Sequence, residues 1–303
     1  MTKKRRTQSE AGGAALTITA FGEIPLVEVS GLALAQWEAG TFLVAVGDHG
    51  PDVAFVALPS LPSAAGSLDT WRVIDLSTVD APDGTPAIEQ AEAIAVDGVR
   101  SAAVLIEDPP LLLVLDVPDR RVTRTFSLDG ADLAGLGSTW AHDASSRGEG
   151  MVLLRDGHVL VVKEKRPAGF IEFGPEGDSA RGVSASTVHP ATEEWVAPPG
   201  QTLVALAWWP ADDQLDDLSD AAVGPDGCVY LLSDKSNAIG RLALPLDPAS
   251  GEPAALDKVW ALPDEVVKAE GLAFLPGGGA VVAVDRPRLG RNLVVLPPTT
   301  DWA

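Results

Sequence analysis

Pairs of acidic residues recur along this chain at a nearly constant spacing. In four places a carboxylate side chain is followed by a second one 14 or 15 positions later. The pairs are Glu92 with Glu107, Glu149 with Glu164, Asp220 with Asp234, and Glu270 with Asp285. A fifth stretch keeps half of the pattern, with Ser30 followed by Asp48. Carboxylate oxygens are the ligands that hard cations such as Ca²⁺ and Mg²⁺ prefer, so such pairs gathered in one place are candidate metal ligands.

Each pair flanks a predicted β-hairpin. In EGMVLL-RDG-HVLVVKEK, residues 149–165, two apolar runs are joined by a turn. If the strands are antiparallel, Glu149 and Glu164 lie side by side, and like charges placed opposite each other repel. Such a pair must be protonated, be paired with a cationic side chain or bind a metal.

Five repeats contain these hairpins and begin near residues 29, 91, 148, 218 and 269. Short Val- and Leu-rich runs separated by Gly, Pro and Asp predict many strands and hardly any helix. Sheets of three to four antiparallel strands repeated at this period are typical of an all-β fold, the β-propeller. We expect five blades; a sixth, degenerate blade within residues 168–217 is the alternative. The run LTITAF, residues 16–21, is predicted to pair with NLVVL, residues 292–296, and so to close the ring.

In a propeller the paired acids would meet at one mouth of the central channel. The metal-ligand candidates are therefore Glu92, Glu149, Asp220, Glu270, Glu107, Glu164, Asp234 and Asp285. The candidates for ligand binding at the same mouth are Ser30, Asp48, His49, Lys163, Lys165, Lys235 and Arg286. The four cationic side chains also permit a purely structural salt-bridge network. His49 is a candidate general base, although a solvated loop histidine is the simpler interpretation.

Other residues that could carry chemistry show no specific pattern. The chain has no GxSxG, HExxH, Walker or zinc-binding cysteine motif. His142, Asp143 and Ser145 resemble a catalytic triad in composition only, since all three crowd one loop. His158 is expected at the far end of its hairpin from Glu149. Trp208 and Trp209 are predicted to pack in the core, and a solvated acidic loop is predicted for Asp212, Asp213, Asp216 and Asp217.

Composition limits the partners. The 303 residues include 43 acidic and 22 basic side chains, a net charge of −21, which argues against nucleic acid and against an anionic membrane surface. One cysteine excludes an internal disulfide framework. No run has the length of a transmembrane helix and no convincing signal peptide is present, so we expect a cytoplasmic protein. Residues 1–13 are predicted to be a flexible tail and residues 14–303 a single propeller domain.

The repeats resemble one known family. The runs VSGLAL, AEAIAV, GEGMVL with VVKEKRP, LSDAAV with LLSDKSN, and AEGLAF are similar to motifs of the SdiA-regulated family of bacterial propellers. That family is more distantly similar to phytase-like, esterase-like and SMP-30-like propellers. The positions that match its motifs are Ser30, Glu92, Glu149, Lys163, Glu164, Lys165, Pro167, Ser219, Ser233, Asp234, Ser236 and Glu270. Ala93 and Asp220 stand where glycine is usual, and VDRPR replaces a Ser-Glu-Pro-Asn run. The resemblance implies a propeller that binds calcium.

Three functions are therefore open. The first is a propeller that binds a divalent cation, Ca²⁺ before Mg²⁺, together with a small polar or anionic ligand at the channel mouth. The second is a metal-dependent hydrolase of esters, lactones or phosphoesters, in which the metal lowers the pKa of bound water and a ring carboxylate or His49 acts as the base. The third is a scaffold for protein partners with a structural acidic ring.

Overall fold

The protein is built almost entirely from antiparallel strands. The structure is a computed structural model, and it describes residues 16–58, 71–142, 147–165, 167–299 and 302. Within those ranges the chain forms strands that group into four-stranded units, with one six-residue helix, α1 (Gly137–His142), and one 3₁₀ turn (Arg155–Gly157). The short apolar runs of the sequence become these strands, as β-branched and apolar residues bounded by Gly and Pro predict.

Consecutive strands pair antiparallel within units 1 to 4, and unit 5 adds a strand from the N-terminal part of the chain. A parallel pairing of their outer strands joins units 2 and 3 into one eight-stranded sheet. Unit 1 contains β2 (Val29–Trp37), β3 (Gly40–Gly47), β4 (Asp52–Ala57) and β5 (Arg72–Asp75). Unit 2 contains β6 (Ala93–Val96), β7 (Ser101–Ile106), β8 (Leu111–Asp116) and β9 (Arg121–Asp129). Unit 3 contains β10 (Gly150–Leu153), β11 (Val159–Lys163), β12 (Gly169–Pro175) and β13 (Thr202–Pro210). Unit 4 contains β14 (Leu218–Val223), β15 (Val229–Ser233), β16 (Ala238–Leu242) and β17 (Leu256–Ala261). Unit 5 contains β18 (Ala269–Phe274), β19 (Ala280–Val284), β20 (Leu293–Leu296) and β1 (Ala20–Gly22).

The fifth unit joins the two ends of the chain. β1 is antiparallel to β20, with Phe21 opposite Val294, and the Thr19 N–H donates to the Val295 carbonyl over 2.9 Å. The predicted closure is therefore confirmed, although the paired segment is Ala20–Gly22 rather than the whole of residues 16–21. The tail predicted over residues 1–13 lies outside the described residues.

The first strand of each unit is an inner strand. β2 packs against β6 and β18, and β10 packs against β6 and β14, while β14 also packs against β18. These five contacts close a ring around one axis. Residues 168–217, considered as a sixth blade, supply β12 and β13 of unit 3 and no sheet of their own. The count of five blades itself stays a prediction.

Apolar clusters fill the spaces between units. Between units 4 and 5, Tyr230, Trp260, Phe274 and Trp302 stack on one another, with ring centroids 4.7–6.0 Å apart. Leu16 packs into the same cluster, so both ends of the described chain are anchored there. Such aromatic packing adds stabilisation beyond the area that it buries.

Two further features bear on the predictions. Trp209 is buried and Trp208 is partly buried, each in a cluster beside unit 3, which confirms that both pack in the core. Among the described residues, none of the helical segments has the length and apolar character needed to span a membrane.

Candidate functional site

The start of each inner strand supplies one side chain to a mouth of the central channel. Strand register aligns five residues at this level, and we call them the mouth layer: Ser30, Glu92, Glu149, Ser219 and Glu270. In units 1, 4 and 5 the mouth-layer residue lies in a register shift of the inner strand, at Ser30, Ser219 and Glu270. A bulge of this kind re-aims a side chain, here towards the channel mouth.

The second strand of each unit ends in an acid beside the mouth layer. We call these five residues the rim acids. Each lies two positions after the residue that pairs with the inner strand just past its mouth-layer residue. They are Asp48, Glu107, Glu164, Asp234 and Asp285. The structure thus brings the predicted acids of units 2, 3 and 5 to one mouth, together with Asp48 and Asp234. The electrostatic effects among them agree with this placement, because the pKa of Glu149 is raised by burial and by the charges of Glu92, Glu164, Glu107 and Glu270.

Asp220 is the exception among the predicted acids. It lies opposite Leu232, one residue beyond the mouth layer, while Ser219 takes the position beside Asp234 and accepts its N–H over 3.1 Å. The predicted pairing of Asp220 with Asp234 is therefore wrong by one residue. The sequence spacing indicates the correct partner, because Ser219 and Asp234 are 15 positions apart, as are the residues of the other pairs.

The Asp220 carboxylate is enclosed on the channel axis. One oxygen accepts the Ala221 N–H over 2.7 Å, and the other accepts the Leu272 N–H over 2.7 Å and the Leu32 N–H over 3.5 Å. Burial raises its pKa well above the ordinary value, and the three N–H groups counter that rise. Since its oxygens bind backbone groups of three units, Asp220 connects inner strands rather than joining the ring of acids.

Glu92 is the mouth-layer acid with the most distinctive surroundings. The residue is 6% exposed, and its carboxyl group forms no hydrogen bond or ion pair within the described ranges. Burial, followed by the charges of Asp48 and Glu107, raises its pKa to about 8. The pKa of Glu270 is likewise raised to about 8, by burial and then by Asp234. These carboxyl groups therefore hold protons near neutral pH when no cation offsets their charge.

Several rim acids have cationic or N–H partners. Glu107 accepts the Arg147 N–H over 2.8 Å, and Asp285 forms an ion pair of 2.5 Å with Lys268. Glu164 contacts the Lys165 ammonium; burial nevertheless raises the pKa of Glu164 to about 7. The salt-bridge interpretation thus describes part of the rim, whereas no Lys or Arg among the described residues pairs with Glu92.

Two more carboxylates belong to this mouth. Burial and the neighbouring Glu28 raise the pKa of Asp48 to about 6. Asp217 interacts with Glu164 and lies 4.0 Å from the Lys165 ammonium. The prediction of a solvated loop is therefore wrong for Asp217, because the turn before β14 folds it back onto the rim.

The predicted ligand-binding residues differ in their exposure and in the contacts that their polar groups make. The Ser30 hydroxyl donates to the Ala91 carbonyl over 2.5 Å, and Lys163 is fully buried with its ammonium 2.5 Å from the Lys165 carbonyl. The His49 side chain is 73% exposed and lies 3.5 Å from the Glu28 carboxylate. Lys235 and Arg286 are exposed residues at the rim. Lys235 and Lys165 line a cleft of about 470 Å³ beside Glu164.

The type and the spacing of the carboxylate donors at the mouth both bear on the metal prediction. Carboxylate oxygens suit Ca²⁺ or Mg²⁺ by type, and the unpaired, buried Glu92 carboxyl group is a free donor. In the ranges that the structure describes, however, no three His, Cys, Asp or Glu side chains are close enough together to hold one ion. The donors fit a hard cation by their chemistry, and they would have to draw together to coordinate it.

A second ionisable cluster was missed by sequence reasoning. The buried His158 ring lies 2.7 Å from Glu172 and 3.2 Å from Asp178, and Glu172 also accepts the Arg181 and Gly182 N–H groups. Both ring nitrogens face carboxylates, an arrangement that favours the doubly protonated imidazolium, because a neutral ring has a single N–H. Hydrogen bonds to Glu172 and Asp178 outweigh the effect of burial and raise the pKa of His158. This cluster fastens the loop after β12, away from the acidic mouth.

The triad-like loop gives no site that can be described. Asp143 and Ser145 lie outside the described residues, and only the backbone of His142 is placed, at the end of α1.

Several solved structures are similar to this chain. The aldose sugar dehydrogenase of Streptomyces coelicolor, solved in its PQQ-bound form, aligns with a TM-score of 0.50 at 12% identity, over 93% of this chain and 97% of that one. Glutaminyl cyclase of Myxococcus xanthus gives 0.48 at 13% identity over 94% and 100%. A calcium-binding protein, regucalcin, of Agrobacterium tumefaciens gives 0.47 at 12% identity over 92% and 95%.

The closed ring of sheets, together with the likeness to the aldose sugar dehydrogenase, defines the class of the protein, which is a β-propeller. Identities this low show the fold alone. No protein-family model matches the chain and no curated protein is significantly similar to it. Membership of the SdiA-regulated family therefore stays a prediction.

Proposed function

We propose that this propeller binds a cation at the acidic mouth, with Ca²⁺ favoured over Mg²⁺. The observation that carries the proposal is Glu92, a carboxyl group that is almost fully buried, faces other acids and has no partner in the described part of the chain. Ionising a carboxyl group that is largely buried and faces other acids is costly, and a bound cation would offset that cost.

Glu92, Glu149 and Glu270 are the residues that would hold the ion. Glu92 and Glu149 start neighbouring inner strands and Glu270 starts one across the ring, and their charges act on one another. Their donor atoms are all oxygens, as hard cations require, and the irregular ring suits the adaptable coordination of Ca²⁺ better than the strict octahedron of Mg²⁺. When bound, the cation would neutralise the mouth and provide a positive centre for a small polar or anionic ligand.

Proton release should accompany binding. Burial raises the pKa of Glu92 and of Glu270 to about 8, so both are largely protonated at pH 7. A cation competes with those protons, because the ligand is the deprotonated carboxylate. Affinity should therefore increase as the pH rises from 7 to 8.

The cleft beside Glu164 is the proposed place for the second, polar ligand. It is open to solvent next to the mouth and is lined by Lys165 and Lys235 as well as by aspartates. The two ammonium groups offer a polar or anionic molecule favourable contacts next to a bound cation.

A hydrolase is the second candidate. Glu164 supports it, because burial raises the pKa of this carboxyl group to about 7, near the value that is best for general acid–base catalysis at neutral pH. A hydrolase would lose turnover of ester, lactone or phosphoester substrates in Glu164→Gln. A protein scaffold is the third candidate and predicts that neither cation nor substrate has an effect.

Calorimetric titration with Ca²⁺ and then Mg²⁺ tests the proposal. The wild type should bind Ca²⁺ and release protons, which is measured by repeating the titration in buffers of different ionisation enthalpy. Glu92→Gln should weaken binding by about tenfold or more, whereas Glu176→Gln, at an exposed turn, removes the same charge and should leave it unchanged. Saturating Ca²⁺ at about 100 times its Kd should stabilise the fold by about 2.7 kcal/mol. Melting temperatures that ignore both Ca²⁺ and chelator would reject cation binding.

A further inference from the structure

The channel has a second, chemically different end. A cavity of about 260 Å³ opens at the end of the inner strands away from the acidic mouth. All five inner strands contribute to its wall, and the residues that shape it are Leu32, Ile94, Met151, Ala222, Leu272 and Phe274. A concave space with such an apolar wall is the usual form of a small-molecule site.

The floor of the cavity is the layer that contains Asp220. The other inner strands carry Gly31, Ala93, Gly150 and Gly271 at the same level, and there the strands approach closely. A side chain added at Gly150 would lie 2.7 Å from the Ala221 nitrogen. The Asp220 carboxylate binds N–H groups of the first and fifth units across this level, so it lies between the cavity and the acidic mouth.

Two polar side chains stand at the rim of the cavity. The His189 Nε2 lies 3.0 Å from the Glu193 carbonyl, which only accepts, so this nitrogen carries the proton. The other ring nitrogen, Nδ1, has no partner among the described residues. The Gln36 amide at the same rim is exposed and can both donate and accept. A hydroxyl group can pair with either rim residue, since it both donates and accepts.

We infer that this cavity is a second binding site, for a small apolar molecule that carries one hydroxyl group. The volume sets the size, because an apolar cavity of about 150 Å³ already holds benzene. The cavity of about 260 Å³ therefore has room for a body of two fused rings. The charged mouth would reject such a molecule, and the floor at Asp220 keeps the two sites apart. This inference is independent of cation binding.

Met151 offers a direct readout with 2-naphthol as the probe. The chain has two methionines, and Met1 lies outside the described residues, so ¹³C-methyl labelling gives one signal from the cavity wall and one reference. Titration to about 1 mM should shift the Met151 methyl signal in a saturable way and leave the Met1 signal in place. A Met151 signal that stays unchanged, or that moves together with Met1, would overturn the inference.

A matched pair of variants locates the site. Ala222→Phe should fill the cavity from its half-buried wall position and weaken naphthol binding by about tenfold, whereas Ala249→Phe adds the same ring in an exposed loop and should bind as the wild type does. Wild-type affinity in a folded Ala222→Phe would refute the site. If that variant fails to fold, intermolecular NOEs between naphthol and the Met151 methyl group in the wild type decide the question, and their absence refutes it.

Discussion

Replacing Asp220 by alanine should destabilise the propeller strongly. Each carboxylate oxygen accepts one short backbone N–H bond, from Ala221 and from Leu272, at 2.7 Å in both cases. Removing the acceptor leaves two buried N–H groups unsatisfied, at about 1–3 kcal/mol each, so the free energy of unfolding should fall by about 2–6 kcal/mol. The longer Leu32 bond of 3.5 Å adds little to this sum.

Asparagine at the same position separates hydrogen bonding from side-chain volume. The Asn side chain fills the same space but has a single acceptor oxygen, so Asp220→Asn should lose one of the two short bonds and about 1–3 kcal/mol. Asp132→Ala, in an exposed loop, is the control and should change stability by no more than about 0.5 kcal/mol. Urea unfolding at constant m-value measures all three variants. If Asp220→Ala unfolds at the wild-type urea concentration, the carboxylate does not connect the inner strands and the argument fails.

Three further outcomes can be measured on the same protein. Deleting residues 1–22 should lower stability by several kcal/mol, because β1 and the Leu16 contact are lost, whereas deleting residues 1–10 should not; equal thermal melts would contradict the closure. In cation-free buffer, the free energy of unfolding should fall as the pH rises from 5 to 8, because burial raises the pKa of Glu92 in the folded protein to about 8 and the unfolded chain therefore binds fewer protons. Glu92→Gln should flatten that fall, and a pH profile of the variant parallel to that of the wild type would contradict the reasoning. Because the pKa of His158 is raised in the folded protein, its contribution to stability should be complete below its unfolded pKa of 6.5 and lost as the pH rises through the folded pKa. His158→Gln should abolish this contribution in denaturation measured across that pH range. A variant with the same pH profile as the wild type would argue against the imidazolium.

The repeated spacing of the acids was sufficient to predict much of this architecture. An offset of 15 residues across a hairpin leaves its two ends side by side, so Glu149 and Glu164 had to share one end of unit 3. Repetition of that hairpin implied a ring of sheets, and the apolar run near the N-terminus implied an outer strand for the last sheet. These deductions rest on period-two geometry and antiparallel pairing, which are local properties of the sequence.

Predictions that rested on residue type were wrong where strand register determines the position of a side chain. Asp220 was grouped with the mouth acids because it is acidic, whereas the register shift at Ser219 turns it onto the axis. The cluster of His158, Glu172 and Asp178 depends on a loop folding back across two strands, and no motif spacing encodes that. Asp217 reaches the rim through a turn with a positive φ of 61°, which an acidic run in the sequence does not reveal.

Closure of the fifth sheet also has a consequence for synthesis of the chain. β1 is made among the first strands and β20 last, and 276 positions separate Thr19 from its partner Val295. At roughly 5–20 residues per second, the first strand leaves the ribosome many seconds before its partner exists. Until then β1 has no strand to pair with, and a chain that ends before β20 leaves β19 as an unpaired sheet edge of the kind that promotes aggregation. A product truncated before β20 should therefore be selectively insoluble.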